Sequence, residues 1–346
     1  MKFFLYLSIV LFFETDRYIY RTFLQKVPVV WRVLFFVPTV VGLISVVLLL
    51  RHVPSNTITT LFVITLFCFT VPKIVFLVFS LVAKLLGFRN RTVYTVVCRI
   101  GLVAACVVSL SALYGITFGW KQLDTEYVDL YFEDLPESFD GYRIAHLSDL
   151  HLGTYGGKTA YVEKIVRRVN EERPDLVAFT GDIVNRNSEE MDPFVPVLSR
   201  LNAPDGVFSV LGNHDYAVYQ NCDNDEKAHN CQLTQQAERR MGWTLLMNTH
   251  RIIRRDSDSI VIAGMENWGK VERMPRRGDV AKTLKGLSTT QPSAHAPFIV
   301  MLQHDPSAWR EKILPECHAQ LTLSGHTHGG QFSLFGWSPA ALAYKE

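Results

Sequence analysis

Apolar residues are distributed unevenly along the chain, and their pattern changes near Trp120. Before that residue lie three long apolar runs, Val33–Leu50, Leu61–Val82 and Ile100–Phe118. Each run approaches the ~20 residues with which a helix crosses the hydrocarbon core of a membrane. A shorter run, residues 3–13, is not followed by a small-residue cleavage site. We interpret it as a first spanning helix, with an interfacial segment as the alternative. Residues 1–120 are therefore predicted to form a membrane-anchor region with about four transmembrane helices.

The positive charges of the short loops predict how this region is oriented. Lys and Arg concentrate in two loops, residues 14–32 and 83–99, whereas the intervening loop has only Arg51 and the segment after the last run begins with Lys121. Positive loops lie on the cytoplasmic side of a membrane. The soluble half is therefore expected on the outer face, whether or not the first run spans. Lys73, within an apolar run, is expected to snorkel or to face a neighbouring helix.

After residue 120, short apolar strands alternate with amphipathic helices and then give way to a cluster of strands. The predicted strands are 126–135, 143–147, 176–179, 207–211, 243–247, 251–255, 259–265, 298–302 and 319–323. The predicted helices are 158–172, 191–201, 233–241 and 279–287. This order predicts an α/β domain, residues 121–346, in which two mixed β-sheets pack face to face with helices outside, an αββα sandwich.

Polar residues that can bind a metal recur at one kind of position, directly after a predicted strand. They are Asp149 and His151, Asp182, Asn213 and His214, His304, and His326 with His328. Ligands of such sheets gather outside the carboxyl ends of the strands. The i, i+2 spacing within two of these groups directs both side chains of the pair to one side of an extended segment.

The types of these residues indicate a site for two cations. Without His214, the set consists of two Asp, one Asn and four His, with no thiolate, which suits divalent Mn, Fe or Zn. Seven ligands exceed the need of one catalytic ion and suit two ions that share a carboxylate. Any one of these residues alone would more often be a turn former or a structural histidine; the ordered set favours the metal site.

The ordered motifs resemble those of the calcineurin-like metallophosphoesterases. The matching pieces are Asp149-x-His151, Gly181-Asp182-x-x-Asn185, Gly212-Asn213-His214-Asp215, His304 and Gly325-His326-x-His328. The resemblance covers about residues 126–336. The Gly-His-Thr-His-Gly-Gly-Gln form, behind an N-terminal membrane region, is similar to the membrane-associated phosphodiesterase branch of the family.

The resemblance implies a role for each matching residue. It assigns a first metal to Asp149, His151, Asp182 and His328, and a second to Asp182, Asn213, His304 and His326. Asp182 would bridge the two divalent ions, and a hydroxide held between them would attack phosphorus. His214 would assist the leaving group and would be oriented by Asp215.

The expected function is hydrolysis of a phosphodiester near the membrane surface, with a lipid-linked or envelope substrate. A narrower alternative is a pyrophosphate hydrolase of the UDP-diacylglucosamine type in lipid A synthesis, although that chemistry is expected on the cytoplasmic side. A non-enzyme alternative is a membrane sensor or scaffold that binds a phosphorylated ligand. The net charge of +2 and the absence of a basic stripe argue against a nucleic-acid partner.

Two further expectations concern covalent links and the end of the chain. If the soluble half lies outside, Cys222 and Cys231 are expected to form a disulfide that closes the polar segment between them. Family members continue past the histidine pair with further strands, whereas this chain ends at Glu346. The second sheet is therefore expected to lack an edge, as in a domain truncated at its C-terminal strands.

Overall fold

The computed structural model describes residues 2–51, 56–87, 90–272, 274–287 and 296–328, and the chain divides into two units, Met1–Glu126 and Tyr127–Glu346. The expectation about an incomplete second sheet concerns residues after His328, which lie outside the described residues.

The regular structure of the first unit, among its described residues, is entirely helical. Its helices are α1 (Lys2–Ile19), α2 (Val29–Leu50), α3 (Asn56–Ile64), α4 (Val71–Leu86) and α5 (Arg91–Thr117). A π-helical segment, Thr65–Thr70, joins α3 to α4. Among the described residues, three stretches are long and apolar enough to cross a membrane, Val29–Leu50, Thr57–Leu86 and Arg91–Thr117. Helix α1 is not among them, because it carries the charged residues Lys2, Glu14, Asp16 and Arg17. The structure thus offers three candidate spans where the sequence suggested about four.

A buried polar cluster links α1, α2 and α4. The ammonium of Lys73 donates to Asp16 Oδ1 at 2.7 Å and to Thr39 Oγ1 at 3.2 Å. The Thr39 hydroxyl in turn donates to Asp16 Oδ2 at 2.6 Å. Lys73 therefore faces neighbouring helices, and Asp16, which is 3% exposed, neutralises its charge.

Two four-stranded sheets form the second unit. The first consists of β1 (Ile144–Leu147), β2 (Leu176–Phe179), β3 (Val207–Ser209) and β4 (Thr244–Leu245), all parallel and in that order. The second consists of β5 (Thr249–Arg255), β6 (Asp258–Gly264), β7 (Phe298–Leu302) and β8 (Leu321–Leu323). In it β5 is antiparallel to β6 and the remaining pairs are parallel. Only the second sheet is therefore mixed; the first is parallel throughout its described strands.

Helices connect the parallel strands, as parallel pairing requires. They are α6 (Ala160–Glu171), α7 (Val195–Leu198), α8 (Asn224–Arg240), α9 (Val280–Thr283) and α10 (Leu314–Glu316). The principal core lies between the two sheets, where Leu176 and Phe208 of the first sheet share a buried cluster with Ile262 and Val300 of the second. The second sheet buries its other face against α9 and the segment that leads into α10. The predicted layered architecture of two packed sheets with helices is thus confirmed.

Several elements differ from their predictions. Residues 126–135 form no strand: Phe132 and Leu135 pack against the core, but Val128 and Leu130 are exposed, and no ladder joins the segment to a described strand. Helix 191–201 is reduced to a 3₁₀ turn, Ser188–Met191, and the short α7.

The predicted loop between Cys222 and Cys231 is instead the beginning of α8, which Asp223 caps by accepting from the Glu226 amide. Both cysteines are free thiols, so the conditional disulfide is wrong for this structure. The helix explains why: at a rise of ~1.5 Å per residue it holds the two ends of the segment farther apart than a disulfide can span.

Candidate metal centre

The candidate ligands lie beyond the carboxyl ends of five strands. Asp149 and His151 follow β1, Asp182 follows β2, Asn213 and His214 follow β3, His304 follows β7, and His326 and His328 follow β8. The structure brings these residues together, although the chain separates the first from the last by 179 positions, 328 − 149.

A first group of ligand atoms comes from Asp149, His151, Asp182 and His328, and these atoms all lie within 4.8 Å of one another. The Nε2 atoms of His151 and His328 are 3.2 Å apart. His328 Nε2 is 3.4 Å from Asp149 Oδ1, and His151 Nε2 is 3.8 Å from Asp182 Oδ2. Two carboxylates and two imidazoles around one point suit a divalent cation.

Asp182, His304 and His326 form a second group of the same kind. His304 Nε2 is 3.2 Å from Asp182 Oδ2 and 3.3 Å from His326 Nδ1. Oxygen Oδ2 of Asp182 therefore lies beside histidines of both groups. The Asp182 side chain is 2% exposed, so protein groups surround its carboxylate and almost close it off from solvent.

Asn213 fits the second group because its side-chain oxygen is buried and has no hydrogen-bond partner among the described residues. The residue is 1% exposed. The next amide, that of His214, donates to Asp182 Oδ1 at 2.8 Å, which holds the Asn213 backbone beside the shared carboxylate. A buried acceptor without a partner is unusual in proteins unless a water or an ion satisfies it. The residues present thus fit a pair of divalent cations.

Three of the imidazole rings are fixed by backbone carbonyls of one segment, residues 180–185. The Nδ1 atoms of His304, His151 and His214 face the carbonyl oxygens of Thr180 at 2.7 Å, Val184 at 3.2 Å and Asn185 at 2.6 Å. A carbonyl oxygen can only accept, so Nδ1 carries the proton in each ring. The lone pair of each neutral ring is then on Nε2, the atom that faces the centre.

Asp215 holds this segment in place. Its Oδ2 accepts from the amides of Asp182 and Gly212, both at 2.8 Å, and its Oδ1 accepts from Ile183 and Val184 at 3.0 and 3.2 Å. Burial, reinforced by the charge of Asp182, raises the pKa of Asp215 to about 7.

The expectation that Asp215 orients His214 is therefore wrong. The group that fixes the His214 ring is the Asn185 carbonyl, which lies at its Nδ1. Asp215 instead fixes the backbone after β2, at Asp182 to Val184, and the Gly212 amide just before Asn213. Its spacing in Gly-Asn-His-Asp did not distinguish the two roles, since three of the four amides it binds follow a different strand, β2.

The backbone at the ligands is strained. Asp149, His151, Asp182, His326 and His328 have φ values of 54°, 44°, 58°, 71° and 52°. Residues with a Cβ avoid this left-handed region, and holding one there costs on the order of 1–3 kcal/mol. Such outliers concentrate at functional sites, where the surrounding structure imposes them.

Two glycines allow the strand ends to approach each other. Gly181 has a φ of 94°, and a Cβ there would collide with the Gly212 backbone. A Cβ on Gly212 would lie 2.5 Å from the Asp182 amide nitrogen and would also collide with its carboxylate. Both positions therefore require glycine, for close packing at Gly212 and additionally for φ at Gly181.

The charges of the centre act on one another. Burial opposes ionisation of Asp182, yet the rings of His304, His214 and His151 hold its pKa below the usual range. Burial also opposes protonation of His304, but Asp182 raises its pKa to about 9. Burial lowers the pKa of His151 to about 4. Because a cation requires the unprotonated ring, its binding at His304 would release a proton.

Two residues near the centre were not predicted. The Tyr219 ring lies 4.4 Å from that of His214, centroid to centroid, and Asp305 lies beside His326. The position of Asp305 directly after His304, at a strand end, was the available signal for it. No local pattern marked Tyr219, which belongs to an irregular segment.

Comparison with known proteins identifies the class. Residues 142–330 match the family profile described as calcineurin-like phosphoesterase, and the chain belongs to this family. The family is described as one of phosphoesterases, and the clustered Asp and His ligands of this chain suit the divalent metals that such enzymes use.

Three relatives illustrate the breadth of the similarity. The "transmembrane protein with metallophosphoesterase domain" of Danio rerio is 31% identical over 235 residues, which cover 66% of this chain and 50% of that protein. The uncharacterized metallophosphoesterase YkuE of Bacillus subtilis is 30% identical over 208 residues, 59% of this chain and 64% of that protein. The UDP-2,3-diacylglucosamine pyrophosphatase LpxG of Chlamydia muridarum is 28% identical over 233 residues, 58% of this chain and 68% of that protein.

The matches to the first two relatives thus span half to two thirds of those proteins. The apolar helices of the first unit and the similarity to transmembrane relatives together indicate association with a membrane.

Proposed function

We propose that this protein is a phosphodiesterase with a centre of two divalent ions, Mn, Fe or Zn, in its second unit. The observation that carries the proposal is the position of Asp182, whose Oδ2 lies 3.2 Å from His304 Nε2 in one ligand group and 3.8 Å from His151 Nε2 in the other. A carboxylate shared between two such groups is the arrangement by which a protein holds two cations close together.

The ligands divide into two sets that meet at Asp182. Asp149, His151, Asp182 and His328 would hold one ion, and Asp182, Asn213, His304 and His326 would hold the other. When bound, two divalent ions polarise the phosphoryl oxygens and lower the pKa of a water at the centre. By holding both ions, these ligand residues would fix the position of a bound phosphoester and orient its phosphorus for in-line displacement.

His214 supplies the proton for the leaving group. Its Nδ1–H donates to the Asn185 carbonyl, which leaves Nε2, 4.0 Å from Asp182 Oδ2, directed towards the centre. The side chain is 25% exposed and can therefore meet a substrate, unlike His304 with its fully buried ring. As imidazolium, His214 can donate its Nε2 proton to the departing oxygen and neutralise the charge that develops there.

The proposed substrate is a phosphodiester that belongs to a lipid or an envelope component. It would lie near the non-cytoplasmic face of the membrane that the helices span. The distribution of Lys and Arg supports the outward orientation, because the positive residues concentrate in loops 14–32 and 83–99. Three spans that begin in the cytoplasm leave the segment after Thr117 on the outer side.

A second candidate follows from the similarity to LpxG, whose name denotes a pyrophosphatase of UDP-2,3-diacylglucosamine. This chain would then hydrolyse the diphosphate of a nucleotide-linked diacyl sugar. The two candidates differ in the side of the membrane, since nucleotide sugars are expected in the cytoplasm. A topology reporter fused after Glu346 separates them: an outer-face signal supports the first, and a cytoplasmic signal supports the second.

The activity is tested with the full-length protein in detergent, supplied with Mn²⁺ and either bis(p-nitrophenyl) phosphate or p-nitrophenyl phosphate. We expect faster turnover of the diester, lost in Asp182→Asn and reduced about 10²- to 10⁴-fold in His214→Ala. The exposed variant Asp192→Asn is the control and should keep wild-type turnover. Binding of the esters without hydrolysis would favour the sensor or scaffold instead, and preference for the monoester would refute diester specificity.

A further inference from the structure

His326 is held differently from His304, the other histidine of the second ligand group. The Nδ1 of His304 is fixed by a backbone carbonyl, whereas both nitrogens of His326 face side chains. His326 Nδ1 lies 3.3 Å from His304 Nε2, which places it on the side of the ligand atoms. His326 Nε2 lies 3.6 Å from Asp305 Oδ2 on the opposite side.

The carboxylate of Asp305 is buried, and hydrogen bonds hold it in place. The residue is 6% exposed. Its Oδ1 accepts from the Ser307 amide at 2.9 Å and from the Ser307 hydroxyl at 2.6 Å. The Ser307 hydroxyl also accepts from the Lys270 amide at 3.1 Å, so the segment after β6 helps to hold it.

Room for Oδ2 comes from Gly269, where a Cβ would lie 2.6 Å from that oxygen. The fixed Oδ1 and the space beside Gly269 leave Oδ2 directed at His326. The carboxylate can therefore select which nitrogen of that ring carries the proton.

We propose that Asp305 is a positioning residue for the second metal ion. Its carboxylate accepts a hydrogen bond from the Nε2–H group of His326 and thereby keeps the lone pair on Nδ1, the atom that would face the ion. The inference rests on the proposed two-ion centre. Carboxylates that accept from metal-bound histidines fix the ring and its tautomer, and their loss weakens metal affinity about 10- to 100-fold. At 3.6 Å, His326 Nε2 and Asp305 Oδ2 are farther apart than a hydrogen bond allows, so the proposed contact requires a small rotation of the His326 ring when the ion binds.

The effect of Asp305 should be confined to one ion. In the first group His151 is fixed by the Val184 carbonyl at 3.2 Å, and His328 lies beside His151 and Asp149. Asp305 is paired with none of these three residues and is paired with His326 alone among the ligands. Loss of its charge should therefore weaken one of two binding steps.

The test measures Mn²⁺ binding to the full-length protein in detergent by equilibrium dialysis with elemental analysis, and by the EPR spectrum of spin-coupled Mn²⁺ pairs. For Asp305→Asn we expect one site of wild-type affinity, a second site weakened about 10- to 100-fold, and loss of the pair signal at limiting Mn²⁺. Asp192→Asn, at an exposed surface pair with Arg240, is the matched control. Two unchanged sites, or equal weakening of both, would overturn the proposal.

A second variant keeps the test decisive if Asp305→Asn does not fold. Ser307→Ala retains the carboxylate but removes one of the two bonds that fix its Oδ1, so the same single site should weaken by a smaller factor. Unaltered affinity at both sites in Ser307→Ala, with Asp305→Asn unfolded before metal is added, would assign Asp305 a structural role instead. Failure of the two-ion proposal looks different, because wild-type protein itself would then bind fewer than two Mn²⁺.

Discussion

Replacing Asp215 with Asn tests how the centre is supported. The carboxylate accepts four backbone amides, two on each oxygen, at 2.8 to 3.2 Å. An asparagine has one acceptor oxygen, so whichever way its amide turns, two of these bonds are lost and two buried amides face an NH₂ group. A buried amide left without an acceptor costs about 1–3 kcal/mol, so the expected loss of stability is about 2–6 kcal/mol.

Thermal unfolding of the full-length protein in detergent measures this loss at pH 8, above the pKa of about 7 that burial gives Asp215. A domain of this size should melt roughly 4 to 24 °C lower. Mn²⁺ binding should weaken at both sites, because the amides concerned position Asp182 and the Gly212 turn before Asn213. Asp192→Asn, whose side chain is 67% exposed, should match the wild type.

A different outcome would assign Asp215 to His214. If Asp215→Asn kept its stability and both ions but became slow only with esters of poor leaving groups, Asp215 would act on His214 after all. The structure predicts the opposite, because the His214 ring is fixed by the Asn185 carbonyl at 2.6 Å.

Three further substitutions probe separate parts of the structure. Gly212→Ala should abolish Mn²⁺ binding, because its Cβ would collide with Asp182. Burial raises the pKa of Glu238 from 4.5 to about 8. The folded protein therefore keeps this carboxyl neutral where the unfolded chain ionises it, so Glu238 should contribute a fall in stability of about 1.4 kcal/mol per pH unit between those values, in addition to the fall that Asp215 contributes. The contribution of Glu238 should disappear in Glu238→Gln. Lys73→Leu should destabilise the first unit by about 3–5 kcal/mol by leaving Asp16 buried and unpaired.

Each of these predictions has its own readout and a result that would contradict it. Dialysis with Mn²⁺ tests Gly212→Ala, and retention of two ions would show that the strand ends can separate. Unfolding curves at several pH values test Glu238→Gln, and a slope equal to that of the wild type would assign the pH dependence to other groups. Melting in detergent tests Lys73→Leu against Lys73→Leu/Asp16→Leu, in which much of the stability should return; no recovery would contradict the pairing.

The sequence was informative where a pattern is local. The ends of strands 176–179 and 298–302 were predicted to the residue, because short apolar runs bounded by polar turns are typical of buried strands. The metal ligands could be nominated because the carboxyl ends of parallel strands meet at one edge of a sheet. The structure then showed which ligands share an ion and that Asp182 lies in both groups.

Features that depend on distant parts of the chain were not predictable. The alternation of residues 126–135 resembles a strand, but a strand exists only if a neighbour pairs with it, and no described residue does. The early turns of α8 are polar, so they read as a loop until the Asp223 cap is seen. Nor did spacing reveal that Asp215 binds amides after β2, since those contacts join residues about thirty positions apart.

Anomalous diffraction at the Mn edge, from crystals grown with Mn²⁺, would show whether Asp182 lies between two cations. We expect two anomalous peaks ~3.5–4 Å apart, with the Asp182 carboxylate between them. Asp149, His151 and His328 should surround one peak, and Asn213, His304 and His326 the other. A single peak, or two peaks of which only one contacts Asp182, would show that Asp182 does not bridge a pair of ions.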